Sequence, residues 1–224
     1  NIWLEGQLSS KNNVDALRVV RDVSLSPKSF WITYQNEALG LGHAIWTAKE
    51  FVKNQPFAVI LPDDFIHSDR SAIGQMIEAH KKIGGNMVAT VDVGREAISA
   101  YGCLDVEARA GRCLSASGMV EKPEADKAPS THAVIGRYIL QPSVLDKLTT
   151  TAPGAGGEIQ LTDAIAADIE SNDLWGYEFE GTRYDCGCQA GYLEATVAVA
   201  MDRAELSPAL YRNLALKAGF GVAA

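Results

Sequence analysis

Between Tyr34 and Ile66 the chain passes from a glutamine, Gln35, into the glycine turn Leu39-Gly40-Leu41-Gly42-His43. An amphipathic stretch follows, and then the apolar run Phe57-Ala58-Val59-Ile60-Leu61, closed by Pro62-Asp63-Asp64. A short apolar run bounded in this way reads as a buried strand with two acids at its carboxyl end. Adjacent carboxylates at such a place are costly to hold together unless a cation is shared, and in open α/β sheets that end of a strand is where ligands bind. The stretch predicts a nucleotide or phosphate site with a divalent metal.

The flanking patterns predict a wound α/β sheet. From His43 to Asn54, Ala44, Ile45, Ala48, Phe51 and Val52 share one helical face. After the acids, Ser68 or Asp69 is expected to cap a helix carrying Ile73, Met76, Ile77 and Ile83, stopped by Gly84-Gly85. Met87 to Val91 is a second continuous apolar strand, as in a parallel strand covered on both faces. Upstream, Val14, Leu17, Val20 and Val23 suggest a short helix, and Phe30 to Tyr34 a strand. Downstream, Tyr101–Ala108 and Cys113–Val120 read as a hairpin turning at Ala110-Gly111-Arg112. A strand from Thr131 to Leu140 leads to a helix near Pro142, a glycine-rich loop at Pro153–Gly157 and a helix with Leu161, Ile165 and Ile169. Trp175, Tyr177 and Phe179 alternate as a strand, and the last helices start near Gln189 and Ser207. With no repeat and no linker, one domain over residues 1–224 is expected.

Composition narrows the function. With 47% hydrophobic residues in 224, the chain can bury one large core. No apolar run approaches the ~20 residues of a membrane span, and no leader pattern is visible, so no membrane partner is expected. The chain opens on Asn1 rather than Met, which suggests that something upstream is removed or unseen. Lys and Arg number 20 against 28 Asp and Glu, a net charge of −8 that disfavours nucleic acid. Anionic substrates must then be met locally, by helix N-termini, a few lysines and a bound metal. Cys103, Cys113, Cys186 and Cys188 do not form a disulfide framework, and reduced thiols fit a cytoplasmic setting. The Cys-x-Cys at 186 and 188 lacks a second ligand pair at zinc spacing.

Asp63 and Asp185 each follow an apolar strand and precede a turn, a placement suited to Mg²⁺ if the two strand ends adjoin. Singly, each is as readily a cap or turn former. Gln35 with Gly40 and Gly42 can read a base, since an amide pairs with a pyrimidine edge and glycine lets the backbone approach a ring. In Val120-Glu121-Lys122-Pro123 the lysine can neutralise a phosphate and the glutamate can accept sugar hydroxyls; the bland alternative is an exposed ion pair. Gly102 leaves room for a sugar or forms a bulge. His43 reads as structural. Nothing resembles a Ser/His/Asp or Cys/His arrangement.

Together these motifs resemble the sugar nucleotidyltransferase family, in particular its members that join UTP to glucose 1-phosphate. The resemblance rests on Gln35 with Leu39–Ala44, Phe57–Asp64, Tyr101-Gly102 and Val120–Pro123, then Ala133–Tyr138, Gly157–Ala164 and Arg183–Gly187, in family order from about residue 30 onward. It implies a Rossmann-like nucleotidyltransferase fold, α/β with a mixed, mostly parallel sheet flanked by helices. It implies that Gln35 and Gly40 hold uracil, that Asp63 and Asp185 hold Mg²⁺, that Gly102, Glu121 and Val134 face the glucose, and that Lys122 contacts the sugar phosphate. Glu158 shapes the sugar pocket by the same carry-over. The implied reaction gives UDP-glucose and pyrophosphate, with a homodimer or homotetramer as the assembly.

The sequence departs from the family in two places. The Gly-x-Gly-Thr-Arg…Pro-Lys loop, carrying an arginine and a lysine on the first strand-to-helix connection, is absent, and residues 1 to 29 hold only Gly6. The family's first strand is central, so its loss is expected to expose core edges. N-terminal truncation or a degenerate relative would each account for this. Gln189 stands where the family usually has lysine. A non-catalytic UDP-sugar-binding module and a glycosyltransferase are the competing expectations, and the Glu121-Lys122-Pro123 context disfavours the latter.

Overall fold

In the computed structural model, residues 2–26 and 29–217 are described, and the chain divides into two compact units, 1–36 and 37–224. The first unit holds helices α1 (Ile2–Ser10) and α2 (Val14–Asp22). Asn13 starts α2 by accepting the Ala16 N–H at 3.2 Å, which satisfies a donor that every helix start leaves open. Arg21 pairs with Glu5 at 3.0 Å between the two helices. The predicted short helix is α2. Phe30–Tyr34, expected as a strand, has no regular secondary structure, and Trp31, Ile32 and Tyr34 are exposed. A strand exists by pairing, and the sheets of this chain are built without that segment.

The second unit contains strands β1 (Phe57–Ile60), β2 (Asp64–His67), β3 (Asn86–Asp92), β4 (Gly102–Ala110), β5 (Cys113–Glu121), β6 (His132–Leu140), β7 (Leu174–Glu178) and β8 (Thr182–Asp185). Its helices are α3 (Leu41–Trp46), α4 (Ala72–Ile83), α5 (Gly94–Ala97), α6 (Ser143–Thr150), α7 (Leu161–Asp168), α8 (Gln189–Met201) and α9 (Ser207–Lys217). Six strands form one sheet in the order β1-β6-β3-β7-β5-β4, and β2 pairs with β8 as a separate ribbon. The sheet is mixed, as expected, but the expectation of mostly parallel neighbours is corrected. Among the described residues, only β3 and β7 pair in parallel. β1 and β3 do point the same way, yet β6 inserts between them in reverse, and β5 returns from the hairpin with β4 and is antiparallel to both its neighbours.

Alternation along the central strands sends side chains to two cores. Val88, Tyr138 and Leu140 meet Val144, Leu148, Leu161 and Ile165 under α6 and α7. On the other face Met87, Ala89, Ile135 and Ile139 meet Met76 of α4. Full burial of such a side chain contributes about 1.5–3 kcal/mol over exposure, so these two layers fix the sheet between the helices. A buried polar knot joins the elements at one end. The Asp168 carboxylate accepts from Asn86 at 2.7 Å, Ser143 at 2.9 Å and Asn172 at 3.0 Å. At the sheet edge Ile60 of β1 is 53% exposed.

Other boundaries shift locally. The helix expected from His43 to Asn54 ends at Trp46 and gives way to a single 3₁₀ turn at Lys49–Phe51. Ser71, rather than Ser68 or Asp69, caps α4 by accepting the Gly74 N–H, because Asp64–His67 continues as strand β2 and delays the helix. Gly84 ends that helix as predicted, and the β4–β5 turn carries Gly111. The hairpin is bulged near Asp105–Val106, so its tip pairs with β7 while its base reaches β6, with Cys103 opposite Ala133.

Candidate active site

Pairing of β2 with β8 brings the two sequence-distant acids together. After β1 a turn at Pro62-Asp63 leads into β2, which pairs with β8 in the register Asp64 to Asp185 and Phe65 to Tyr184. The Cys186 N–H donates to the Asp63 carbonyl at 2.7 Å and extends the pairing past the strand end. Gly187 lies between the two side chains: a Cβ there would sit 3.1 Å from Asp185 Oδ1 and 3.5 Å from Asp63 Oδ2. Asp63 and Asp185 therefore flank one point at the mouth of the ribbon.

The neighbouring acids Asp63 and Asp64 have different surroundings. Asp64 is committed within the fold, since one oxygen accepts from Arg183 Nε at 2.5 Å and the other from the Gly136 N–H at 2.8 Å. The pairing of β3 with β6 skips Gly136 and Arg137, so a bulge turns the Gly136 backbone toward the Pro62–Asp64 corner. Asp63 is exposed, and no described residue gives its carboxylate a hydrogen bond or an ion pair. Arg137 stands beside both acids, its Nη1 donating to the carbonyls of Leu61 and Gly136 at 2.8 and 2.9 Å. Burial pulls the Arg137 guanidinium below its ordinary value, while the carboxylates of Asp64 and Asp63 oppose that. Burial first, and then Asp64, Glu121 and Asp63, keep the phenol of Tyr138 protonated.

The donor set suits Mg²⁺, a hard cation that takes one or two carboxylates, keeps several waters and shares phosphate oxygens. Among the described residues nothing engages the Asp63 carboxylate, and the Asp185 side chain is 44% exposed with Oδ1 accepting the Gly187 N–H at 3.0 Å. No group of three or more His, Cys, Asp or Glu with metal-binding geometry occurs among the described residues. All four cysteines are free, and Cys188 serves as the N-cap of α8.

Next to these acids lies a cavity of about 340 Å³ lined by Asp63, Asp64, Tyr101, Gly102, Glu121, Lys122, Val134, Glu158 and Thr162, among others. In an extended strand Glu121 and Lys122 would point to opposite faces. Lys122 has φ 44°, a left-handed conformation rare for a lysine, and both residues line the cavity. Its backbone N–H is held by the Tyr101 carbonyl at 3.1 Å. The Glu121 carboxylate accepts from Thr162 Oγ1 at 3.0 Å and lies 3.6 Å from Lys122 Nζ. The lysine side chain is 63% exposed, so this pair leaves its charge available. Above Gly102, a Cβ would meet Thr162 Cγ2 at 3.0 Å, Glu121 Oε2 at 3.3 Å and Val134 Cβ at 3.7 Å.

The nucleotide-side candidates fall in different units. Gly40 is the N-cap of α3 at φ 90°, a conformation glycine adopts freely, and a Cβ would lie 2.7 Å from Glu158 Cβ. The Leu39–Gly42 turn is pinned there by the Ile159 N–H to Leu39 and the Gly42 N–H to Ile159. Gln35 is exposed in the first unit, on a segment without regular structure. Four further groups that sequence reasoning did not single out adjoin the site: Arg183, Arg137, Thr162 and the Tyr101 hydroxyl. Their only sequence signal is membership of the quoted motifs.

Behind Asp185 the first turn of α8 packs without clearance. A Cβ on Gly191 would lie 2.1 Å from the Asp185 carbonyl oxygen. Gly191→Ala is expected to destabilise the fold by at least ~1–3 kcal/mol, the usual range for overpacking. Its thermal midpoint should fall by about 2–4 °C per kcal/mol. An unchanged melting curve would show that α8 can stand away from the ribbon.

The family model for nucleotidyl transferase matches residues 9–201. A UTP–glucose-1-phosphate uridylyltransferase of Komagataeibacter xylinus is 44% identical over 184 residues, covering 82% of this chain and 65% of that protein. The chain therefore spans just under two thirds of the length of that curated relative. A crystal structure of a UDP-glucose pyrophosphorylase complexed with UDP-glucose superposes with a TM-score of 0.77 at 38% identity, covering 87% of this chain and 73% of that one. The UTP-bound enzyme of Acinetobacter baumannii superposes at 0.83 with 29% identity, covering 96% and 75%.

Proposed function

Because the chain belongs to the nucleotidyl transferase family, we propose that it serves the transfer of a uridylyl group from UTP to glucose 1-phosphate, giving UDP-glucose and pyrophosphate. The observation that carries this reading is the convergence of Asp63 and Asp185 beside a cavity lined by Gly102, Glu121 and Lys122. The names of the relatives point the same way.

In this reading a phosphate oxygen of glucose 1-phosphate attacks the α-phosphorus of UTP, and pyrophosphate leaves with the bond electrons. The protein forms no covalent bond; it positions the reactants and offsets charge. Lys122 sits against the sugar phosphate and compensates the attacking oxygen's charge. Glu121, held by Thr162, accepts sugar hydroxyls; Gly102 leaves the ring room, Val134 forms an apolar wall, and Glu158 borders the pocket. Gln35 reads the uracil edge, and Gly40 lets the backbone approach the ring. Asp63 and Asp185 are the ligands for Mg²⁺, which when bound would neutralise the crowded phosphate oxygens. The chain acts in the cytoplasm, within a homodimer or homotetramer. Among the described residues no helix is long and apolar enough to cross a membrane.

Pyrophosphate exchange tests the reading. Labelled pyrophosphate should enter UTP only when UDP-glucose and Mg²⁺ are both supplied. Saturable binding of UDP-glucose without any exchange would instead assign the chain to the non-catalytic binders.

A further inference from the structure

We propose that Arg183 is a positioning residue that links the metal-binding acids to the sugar-phosphate wall, so that the two halves of the site are set by one side chain. The inference rests on the functional reading above and adds a residue to it. Arg183 lies on β8 two residues before Asp185, on the same face of the ribbon, and diagonally across from Asp64. Its guanidinium is largely buried, with 16% of the side chain exposed, and each nitrogen has its own partner. Nε donates to Asp64 at 2.5 Å, Nη1 to the Tyr101 hydroxyl at 3.0 Å, and Nη2 lies 3.5 Å from Asp185 Oδ2. The guanidinium carbon also stands 5.2 Å from the centre of the Tyr101 ring.

These contacts reach both halves of the site. On one side, Asp64 fixes the corner that presents Asp63, through the Gly136 N–H. Arg183 also lies beside one oxygen of Asp185, while Gly187 donates to the other. On the other side, Tyr101 precedes Gly102 and its carbonyl holds the Lys122 N–H. A planar fork with fixed donor directions can hold three partners at once, whereas an ammonium of the same charge holds them only loosely. Charge alone also predicts the opposite sign for one variant: losing a cation near Asp185 would draw a metal in. The charge-conserving replacement therefore isolates the geometry.

The test uses the whole chain with Mn²⁺ as a paramagnetic probe of the metal site, and glucose 1-phosphate and UDP-glucose as calorimetric ligands. Arg183→Lys is expected to weaken Mn²⁺ binding in the presence of UDP-glucose by about 10–100-fold, the usual cost of losing a partner of a metal ligand. The same variant should also weaken glucose 1-phosphate binding, with the melting transition still cooperative. Tyr101→Phe, which removes only the hydroxyl, should weaken glucose 1-phosphate while leaving Mn²⁺ at the wild-type value; it carries the test if Arg183→Lys does not fold. Arg183→Lys with both constants unchanged and only a lower melting point would overturn the inference and leave the functional reading intact. So would a metal effect with no sugar effect in Arg183→Lys, or a Tyr101→Phe protein that binds glucose 1-phosphate normally. Wild-type protein that takes up neither Mn²⁺ nor UDP-glucose would overturn the functional reading, and this inference with it.

Discussion

Asp63→Asn and Asp185→Asn should each abolish uridylyl transfer while leaving the fold in place. Asp63 is exposed, and its carboxylate has no hydrogen-bonded or ionic partner among the described residues, so the amide removes a negative charge without orphaning a donor. Asp185 loses part of its attraction to Arg183 but keeps a carbonyl oxygen for the Gly187 N–H. Since partners of metal ligands already cost about 10–100-fold, losing a ligand itself should cost at least as much. Circular dichroism and the melting point should stay close to wild type. Turnover retained in either variant would remove the metal assignment; a collapsed melting curve would recast that acid as structural.

Lys122→Ala should lower turnover by about 10²–10³-fold, the range seen when a group that stabilises developing charge is removed. The alternative for Lys122 was a surface ion pair with Glu121, and the two are indeed 3.6 Å apart. An ion pair this exposed stabilises by only about 0–1 kcal/mol. The left-handed backbone at Lys122 is a cost that such a pair does not explain. Lys122→Gly separates the contributions, because glycine relieves the backbone and removes the charge. Under the functional reading it should be at least as stable as Lys122→Ala and equally inactive. If either variant keeps wild-type turnover and only its melting point moves, Lys122 belongs to the surface.

The elements visible in the sequence were those whose own periodicity carries them. β3 is a continuous apolar run, α4 has a clean face and a glycine stop, and the β4–β5 turn announces itself at Gly111. Strand direction was hidden, because nothing in the pattern of β6 says that it inserts in reverse between β1 and β3. β2 was missed for a local reason: four residues with Asp and His at the ends and partial burial throughout lack an apolar signature. Phe30–Tyr34 has that signature and forms no strand. In the site, the distinction between Asp63 and Asp64 depends on a bulge in β6, seventy-odd positions away in the chain. The part played by Arg183 depends on a diagonal across a two-stranded ribbon. Spacing in one dimension contains neither.

The reversed insertion of β6 also sets a timetable for synthesis. β1 pairs with β6, and Phe57 stands opposite Leu140, about eighty residues later. A ribosome adding ~5–20 residues per second leaves β1 waiting for several seconds before its neighbour is made. Closure over so long a span is slow, and an apolar strand held open in the meantime is a natural client for chaperones.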